Sequence, residues 1–280
     1  MPISYRLVAG TFDPYSVATI TIVHVPFVTS SMQRLINDGV IASGDSFVAV
    51  AAGANEASLF SSLGITDATI TNLADNGAAG VAPFAWSHEA AQDLSFADGS
   101  FDWGFVVDGL HHCPSPHAGL LELYRVARKG VIVFEASDSA LMRFARRTGM
   151  TGDYEIEAVV ANNGNGGGVN NTPVPNFVYR WTEAEFEKTI RSNDPTGEPT
   201  FRYFRALHLP WEAAQMRQRG AKRRVLQIAG PVLKAATKVT KKQRNSIGMI
   251  ALKPSVLHPW LHQTSEGVTF NPDYQIEHFK

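Results

Sequence analysis

Between Thr29 and Val40 the apolar residues Met32, Leu35, Ile36 and Val40 recur at helical spacing behind a Thr/Ser cap, with Gly39 near the expected end, which predicts a helix. Ser46 to Ala51 is then a short apolar run that breaks into Ala52-Gly53-Ala54-Asn55, and Glu56 to Leu63 reads as a helix closed by Gly64. Asp67 to Leu73 is rich in β-branched residues and ends in polar positions, so a second strand follows the first through a helix. The alternation continues. Phe101 to Val107 reads as a buried strand, Ser115-Pro116 supplies a cap and a first-turn proline, Ala118 to Arg128 is an amphipathic helix stopped by Gly130, and Val131 to Phe134 is the next strand. Apolar strands separated by helices predict an α/β fold, with a mostly parallel sheet covered on both faces. Ligands of such sheets sit beyond the carboxyl ends of the strands, which directs attention to residues 51–55, 72–75, 108–113 and 135–138.

The second half has another texture. Asn162 to Asn176 is a Gly/Asn/Pro stretch with little to pack, read as a mobile loop, linker or lid. Thr182 to Glu185 matches a capping box that opens a helix to about Ser192, and an extended segment Phe201 to Leu209 follows. Between Met216 and Arg244 there are ten Lys or Arg and no acid, in a helical region that Gly230-Pro231 divides. Ser246 to Leu252 reads as a last strand.

Composition narrows the function classes. At 280 residues, 44% hydrophobic and 18% charged, the chain is neither disordered nor fibrous. Twenty-five basic against 26 acidic residues exclude a globally basic nucleic-acid binder, and no nucleic-acid-binding module is recognisable. The near-neutral total hides a polarised molecule, because so much of the basic charge lies in one segment. The single cysteine, Cys113, permits no intrachain disulfide and no four-cysteine zinc site. No signal-peptide layout opens the chain and no stretch reaches the roughly 20 apolar residues of a membrane span, so a cytoplasmic location is expected.

Glu89 to Glu135 forms one connected pattern, with Asp93-Leu94-Ser95-Phe96, Asp98-Gly99-Ser100-Phe101-Asp102, Leu110-His111-His112, Glu122, Arg125-Val126 and Lys129-Gly130 in order. This closely resembles class I S-adenosylmethionine-dependent methyltransferases of the small-molecule, type 11 kind. The pattern covers 47 residues in the middle of the chain, about a sixth of its length. It implies a Rossmann-like seven-stranded, mostly parallel sheet with helices on both faces, an antiparallel last strand, and the basic helices (212–244) as an insertion between the last two strands (201–252). It implies one domain over 1–280: a cofactor half at about 29–138, a loop or lid and helix at 139–200, and a tail at 253–280. The cofactor implied is S-adenosylmethionine. The turn after the first strand would lie against its methionine part, the end of the second strand would hold the ribose hydroxyls, and the next loop would meet adenine. Here those positions read Ala51, Ala52, Gly53 and Asn55 in the turn, Asn72 or Asp75 at the ribose, and Glu89, Ala90 and Ala91 at the adenine. The chain departs from the family at each point: one glycine of the turn motif is kept, and an amide stands at the ribose position. Alanine still permits close approach, and an Asn side chain both donates to and accepts from a hydroxyl.

Asp108, His111 and His112 fall where the methyl end of the cofactor and the acceptor would meet, and a His suits proton removal from an oxygen or nitrogen acceptor. Packing at a helix start is the competing reading. Glu135, Asp138, Tyr179 and Arg180 are the candidate contacts to the acceptor. His111, His112, Cys113 and His117 meet no fixed ligand spacing, so no metal site is expected. The basic segment 216–244 can serve an anionic acceptor (phosphate-, sugar- or lipid-linked), an anionic membrane surface, or nothing beyond solvation. Two other functions compete with methyl transfer to a small acceptor: a catalytically degenerate protein of the same fold that binds through its basic helices, and, less favoured by the Glu89 to Glu135 pattern, a nicotinamide enzyme.

Overall fold

A computed structural model describes residues 15–74, 77–207 and 240–274. In chain order the elements are α1 (Tyr15–Asn37), β1 (Ser46–Ala49), α2 (Ala54–Ser62), β2 (Asp67–Asn72), β3 (Ala85–His88), β4 (Phe101–Val107), α3 (Pro116–Val126) and β5 (Ala127–Ala136). There follow α4 (Ala140–Arg147), α5 (Ile156–Ala161), α6 (Glu183–Asn193), β6 (Thr200–Ala206), β7 (Ser246–Leu252) and the hairpin strands β8 (Leu261–Thr264) and β9 (Gly267–Phe270).

Seven strands form one sheet in the order β3-β2-β1-β4-β5-β7-β6. Strands β1 to β5 pair in parallel, and β7 runs antiparallel between β5 and β6. The expected fold class, with its antiparallel last strand, is the one observed. Successive residues of a strand face opposite sides, so one apolar run supplies two cores. Val48, Val106, Val131, Val133 and Met249 point to one side, where Leu120 and Leu123 of α3 and Phe186 and Ile190 of α6 cover them. Phe47, Trp103, Phe105, Ile132, Phe134 and Ile250 point to the other, under Met32 and Leu35 of α1 and Ala57 and Phe60 of α2. Each such side chain, taken fully out of water, contributes about 1.5–3 kcal/mol.

Two helix starts match their sequence signals. Ser115 Oγ accepts from Ala118 N at 3.3 Å ahead of Pro116, and Thr182 Oγ1 accepts from Glu185 N at 3.2 Å. Several boundaries differ from expectation. The entry helix is not confined to 29–40, because it already runs at Tyr15 and ends at Asn37. Gly130 does not stop a helix; α3 ends at Val126, β5 begins at once, and Gly130 lies within it at φ +155. A Cβ at that position would stand 2.1 Å from the Ala251 carbonyl oxygen, so the β5–β7 pairing itself requires glycine. Strand β3, helices α4 and α5 and the β8–β9 hairpin lie where the hydrophobic pattern marks no element. The basic segment expected to be helical lies outside the described residues from 212 to 239; within 240–244, Lys241–Gln243 is a 3-10 turn. Asp75 also lies outside them. No helix among the described residues is long and apolar enough to cross a membrane.

Candidate functional site

The carboxyl ends of β1, β2 and β4 open onto a cleft of about 260 Å³. Its floor is nearly bare backbone. The chain leaves β1 and passes Ala51 at φ +50, with Val50 N donating to Phe105 O at 3.0 Å and Ala52 N donating to Thr71 O at 2.9 Å. These two bonds stitch the turn to both flanking strands. Gly109 lies beside it in the floor, where an added Cβ would come within 2.7 Å of the Ala51 Cβ and 2.8 Å of Val106 Cγ2. A side chain at 109 would close the floor. Helix α2 begins beyond the turn, and Glu56 Oε2 accepts from Gly53 N at 2.8 Å; burial raises the Glu56 pKa.

Polar groups stand at the rim. Asn72 Nδ2 donates to Ala52 O and its Oδ1 accepts from Ala74 N, both at 3.0 Å, so the amide clamps the β1 turn to the β2 turn. Asn carries two N–H groups and two lone pairs, and these contacts engage one of each. Glu89 accepts from Ser87 Oγ at 2.9 Å and from Ser95 Oγ at 2.6 Å. Burial opposes its charge, but the Ser95 hydroxyl and amide outweigh that and hold its pKa below the ordinary value. The opposite wall comes from the Gly/Asn stretch: Asn162, Gly167, Gly168, Asn170 and Asn171 line the cleft, and Asn171 Nδ2 donates to Leu73 O at 3.3 Å. That stretch packs after all, through amides and bare backbone rather than apolar groups.

Beyond the cleft floor stands a cluster of acids and imidazoles. The buried His111 Nδ1 lies 2.7 Å from Glu135 Oε2, while Glu135 Oε1 accepts from Leu110 N at 2.7 Å. On the other side of the ring, His111 Nε2 lies 3.3 Å from Glu155 Oε2, and His112 Nε2 is also 3.3 Å from that oxygen. Burial disfavours the His111 charge, but Glu135 and Glu155 overcome it and raise its pKa well above the ordinary value. His112 is driven the other way, by burial and by the neighbouring His111. Burial also opposes ionisation of Glu155, yet His111 and His112 bring its pKa down to about 2. His112 lines the cleft, whereas Glu155 and Asp108 line a second cavity of about 510 Å³ together with Val28, Asn55, Glu56 and Leu59. The cluster therefore stands between two cavities.

Of the residues singled out in the sequence, Ala51, Asn72, Glu89, Ala91 and His112 line the cleft; Asn55 and Asp108 line the second cavity; His111 and Glu135 are buried behind. Ala52, Gly53 and Ala90 line neither of the two. Nor do Asp138, Tyr179 and Arg180, which are engaged with Arg143, Glu185 and the Gly152 carbonyl respectively. Glu155 and the Asn162 to Asn171 wall are the site residues that sequence reasoning missed. Glu155 is the N-cap residue of a six-residue helix forty-four residues beyond His111, and no local pattern marks it.

Residues 46–134, about a third of the chain, match the family model described as a methyltransferase domain. The fold is shared with the magnesium protoporphyrin IX methyltransferase of Synechocystis, solved with bound S-adenosylhomocysteine: TM-score 0.51 at 13% identity, covering 88% of this chain and 90% of that one. It is shared as well with a chain of the Haloferax volcanii complex that contains the Trm112 methyltransferase activator, at TM-score 0.50 and 13% identity over 78% of this chain and 86% of that one. A comparison with curated proteins gives no match.

Proposed function

We propose, on the premise that this chain is a class I methyltransferase by domain and fold, that it uses S-adenosylmethionine to methylate an oxygen or nitrogen of a small acceptor. The observation that carries the reading is the cleft at the carboxyl edge of β1, β2 and β4, floored by Ala51 and Gly109 and rimmed by Asn72 and Glu89. A backbone floor without projecting side chains admits a flat ligand, and the remaining N–H and lone pair of Asn72 suit a ribose diol. The cofactor supplies an activated methyl group on a cationic sulfur, so the protein needs little more than alignment and a proton acceptor.

The residues around Asp108 fit that end of the reaction. Asp108, Glu135 and Glu155 surround one raised-pKa imidazole, and an excess of carboxylates favours a cationic ligand. An acceptor held in line with that methyl group would take it and leave the neutral thioether, and the residues here would serve to align the two. The proton released by the acceptor passes to His112, which faces the cleft and whose pKa burial and the neighbouring His111 hold below the ordinary imidazole value. The acceptor reaches the cluster from the cavity bordered by Glu155 and Asn55. An anionic acceptor, soluble in the cytoplasm or carried on a lipid, suits the basic run between Met216 and Arg244.

Calorimetric titration of S-adenosylmethionine and S-adenosylhomocysteine into the purified chain tests this. Micromolar binding is expected, followed by S-adenosylhomocysteine formation with a panel of hydroxyl and amine acceptors. No heat up to millimolar concentration overturns it in favour of a degenerate binding protein, a reading that the engagement of Asn72 within the two turns favours.

A further inference from the structure

We infer that His111 Nε2, His112 Nε2 and Glu155 Oε2 form a binding site for a first-row divalent cation of the zinc type. The inference goes beyond methyl transfer and stands whether or not the chain carries out that reaction.

Three features support it. The first is spacing. Both nitrogens lie 3.3 Å from the same carboxylate oxygen, and all three donor atoms fall within 4.8 Å of one another. A tetrahedron built on metal–donor bonds of about 2.0–2.1 Å has edges of about 3.3–3.4 Å. Two histidines and one carboxylate are also a known donor set for a cation that keeps a position open to water or substrate.

The second is orientation. A metal-bound His ordinarily gives its other ring N–H to a carboxylate or carbonyl, which fixes the tautomer and aims the free nitrogen. His111 does this: Nδ1 meets the fully buried Glu135 at 2.7 Å, and Glu135 is itself fixed by the Leu110 amide at 2.7 Å. The ring is held so that Nε2 faces Glu155. Asn176 Nδ2 donates to the same Glu155 Oε2 at 3.3 Å and so fixes the direction of that carboxylate.

The third is access. His112 and Glu155 keep 28% and 33% of their side-chain surface exposed, one toward each cavity, so an ion at the cluster would touch both spaces. An acceptor oxygen bound at the open position would lose its proton more readily. The same His112 nitrogen cannot then serve as proton acceptor, so metal loading and general-base action are alternatives at one place.

The test is metal content, not turnover. The chain is stripped with chelator, reloaded with Zn2+ alone, gel-filtered and analysed by elemental mass spectrometry, with Co2+ loading followed by visible absorption. About one ion per chain and a tetrahedral Co2+ spectrum are expected, with affinity falling at least about 10-fold in Glu155→Gln and in His112→Ala, and 10- to 100-fold in Glu135→Gln. Circular dichroism establishes that each variant is folded. A wild-type chain that retains no ion, or one whose retention is unchanged in both ligand variants, overturns the site and leaves a hydrogen-bonded His–Glu cluster.

Discussion

Glu135 Oε2 lies 2.7 Å from His111 Nδ1, and the two side chains are 0% and 6% exposed. The carboxylate sits near the end of β5 and the imidazole on the 3-10 turn after β4, so one contact ties together the two strand ends that border the site. Removing one member of a buried pair leaves the other without compensation. Glu135→Ala is expected to destabilise the fold by about 3–5 kcal/mol in chemical denaturation, while Glu135→Gln, which keeps an acceptor for Leu110 N, costs clearly less. Equal losses in the two variants would show that the negative charge, absent from both, dominates over volume and the Leu110 contact.

Asn72 gives a less intuitive prediction. A carboxylate at the end of β2 would restore the family pattern, yet Asn72 Nδ2 donates to Ala52 O at 3.0 Å and a carboxylate would oppose that carbonyl. Asn72→Asp is expected to lower stability by about 1–3 kcal/mol and to leave cofactor affinity no better. Calorimetry together with a melting curve checks both, and a tenfold tighter cofactor would refute the clamp.

The floor of the cleft sets a size limit. Gly109→Ala drives a methyl group to 2.7 Å from the Ala51 Cβ, so cofactor binding should weaken by at least about 10-fold, with stability falling by about 1–3 kcal/mol. Ala51 itself occupies the left-handed region, where glycine is unstrained. Ala51→Gly is expected to be neutral or stabilising by up to about 1 kcal/mol. Differential scanning calorimetry on the two variants separates clash from strain.

Away from the site, Asp45 accepts from Ala42 N at 3.0 Å and Trp103 Nε1 at 2.7 Å and pairs with Lys129. Burial opposes its charge, but Lys129 and these donors prevail and hold the pKa below the ordinary carboxylate value. A carboxyl depressed in the folded state stabilises above its unfolded pKa, and that contribution is lost as pH falls through the folded one. Asp45→Asn should therefore cost about 1–3 kcal/mol at pH 7 and flatten the loss of stability below about pH 4, read from denaturation midpoints across pH. An unchanged acid limb would refute this assignment.

Much of the sheet was legible because buried parallel strands read as uninterrupted apolar runs; Phe101–Val107 and Ser246–Leu252 have the boundaries the pattern gives. β3, Ala85–His88, escaped because it is an edge strand of four residues, none of them fully buried. Gly130 misled because a helix-terminating glycine and a glycine forced by a neighbouring strand look alike in one dimension. At the site, the loop positions after β1, β2 and β4 were locatable from topology, so Ala51, Asn72 and His112 converge where the alternation of elements puts them. Glu155 and Asn171 were not, since what brings them there is tertiary packing of a polar segment whose local sequence specifies only turns.

The position of β7 between β5 and β6 orders events on the ribosome. When Thr200–Ala206 has been made, the place it will occupy does not yet exist, because it borders only Ser246–Leu252. Until that later strand arrives, β5 offers its Gly130–Ala136 edge to any extended chain, its own or a neighbour's. The half of the sheet that floors the cleft closes through short-range βαβ connections and needs none of this, whereas completion waits on a long loop closure. A chain that stops between Ala206 and Ser246 therefore lacks the strand that covers the β5 edge, and such fragments are expected to aggregate more readily than the full chain.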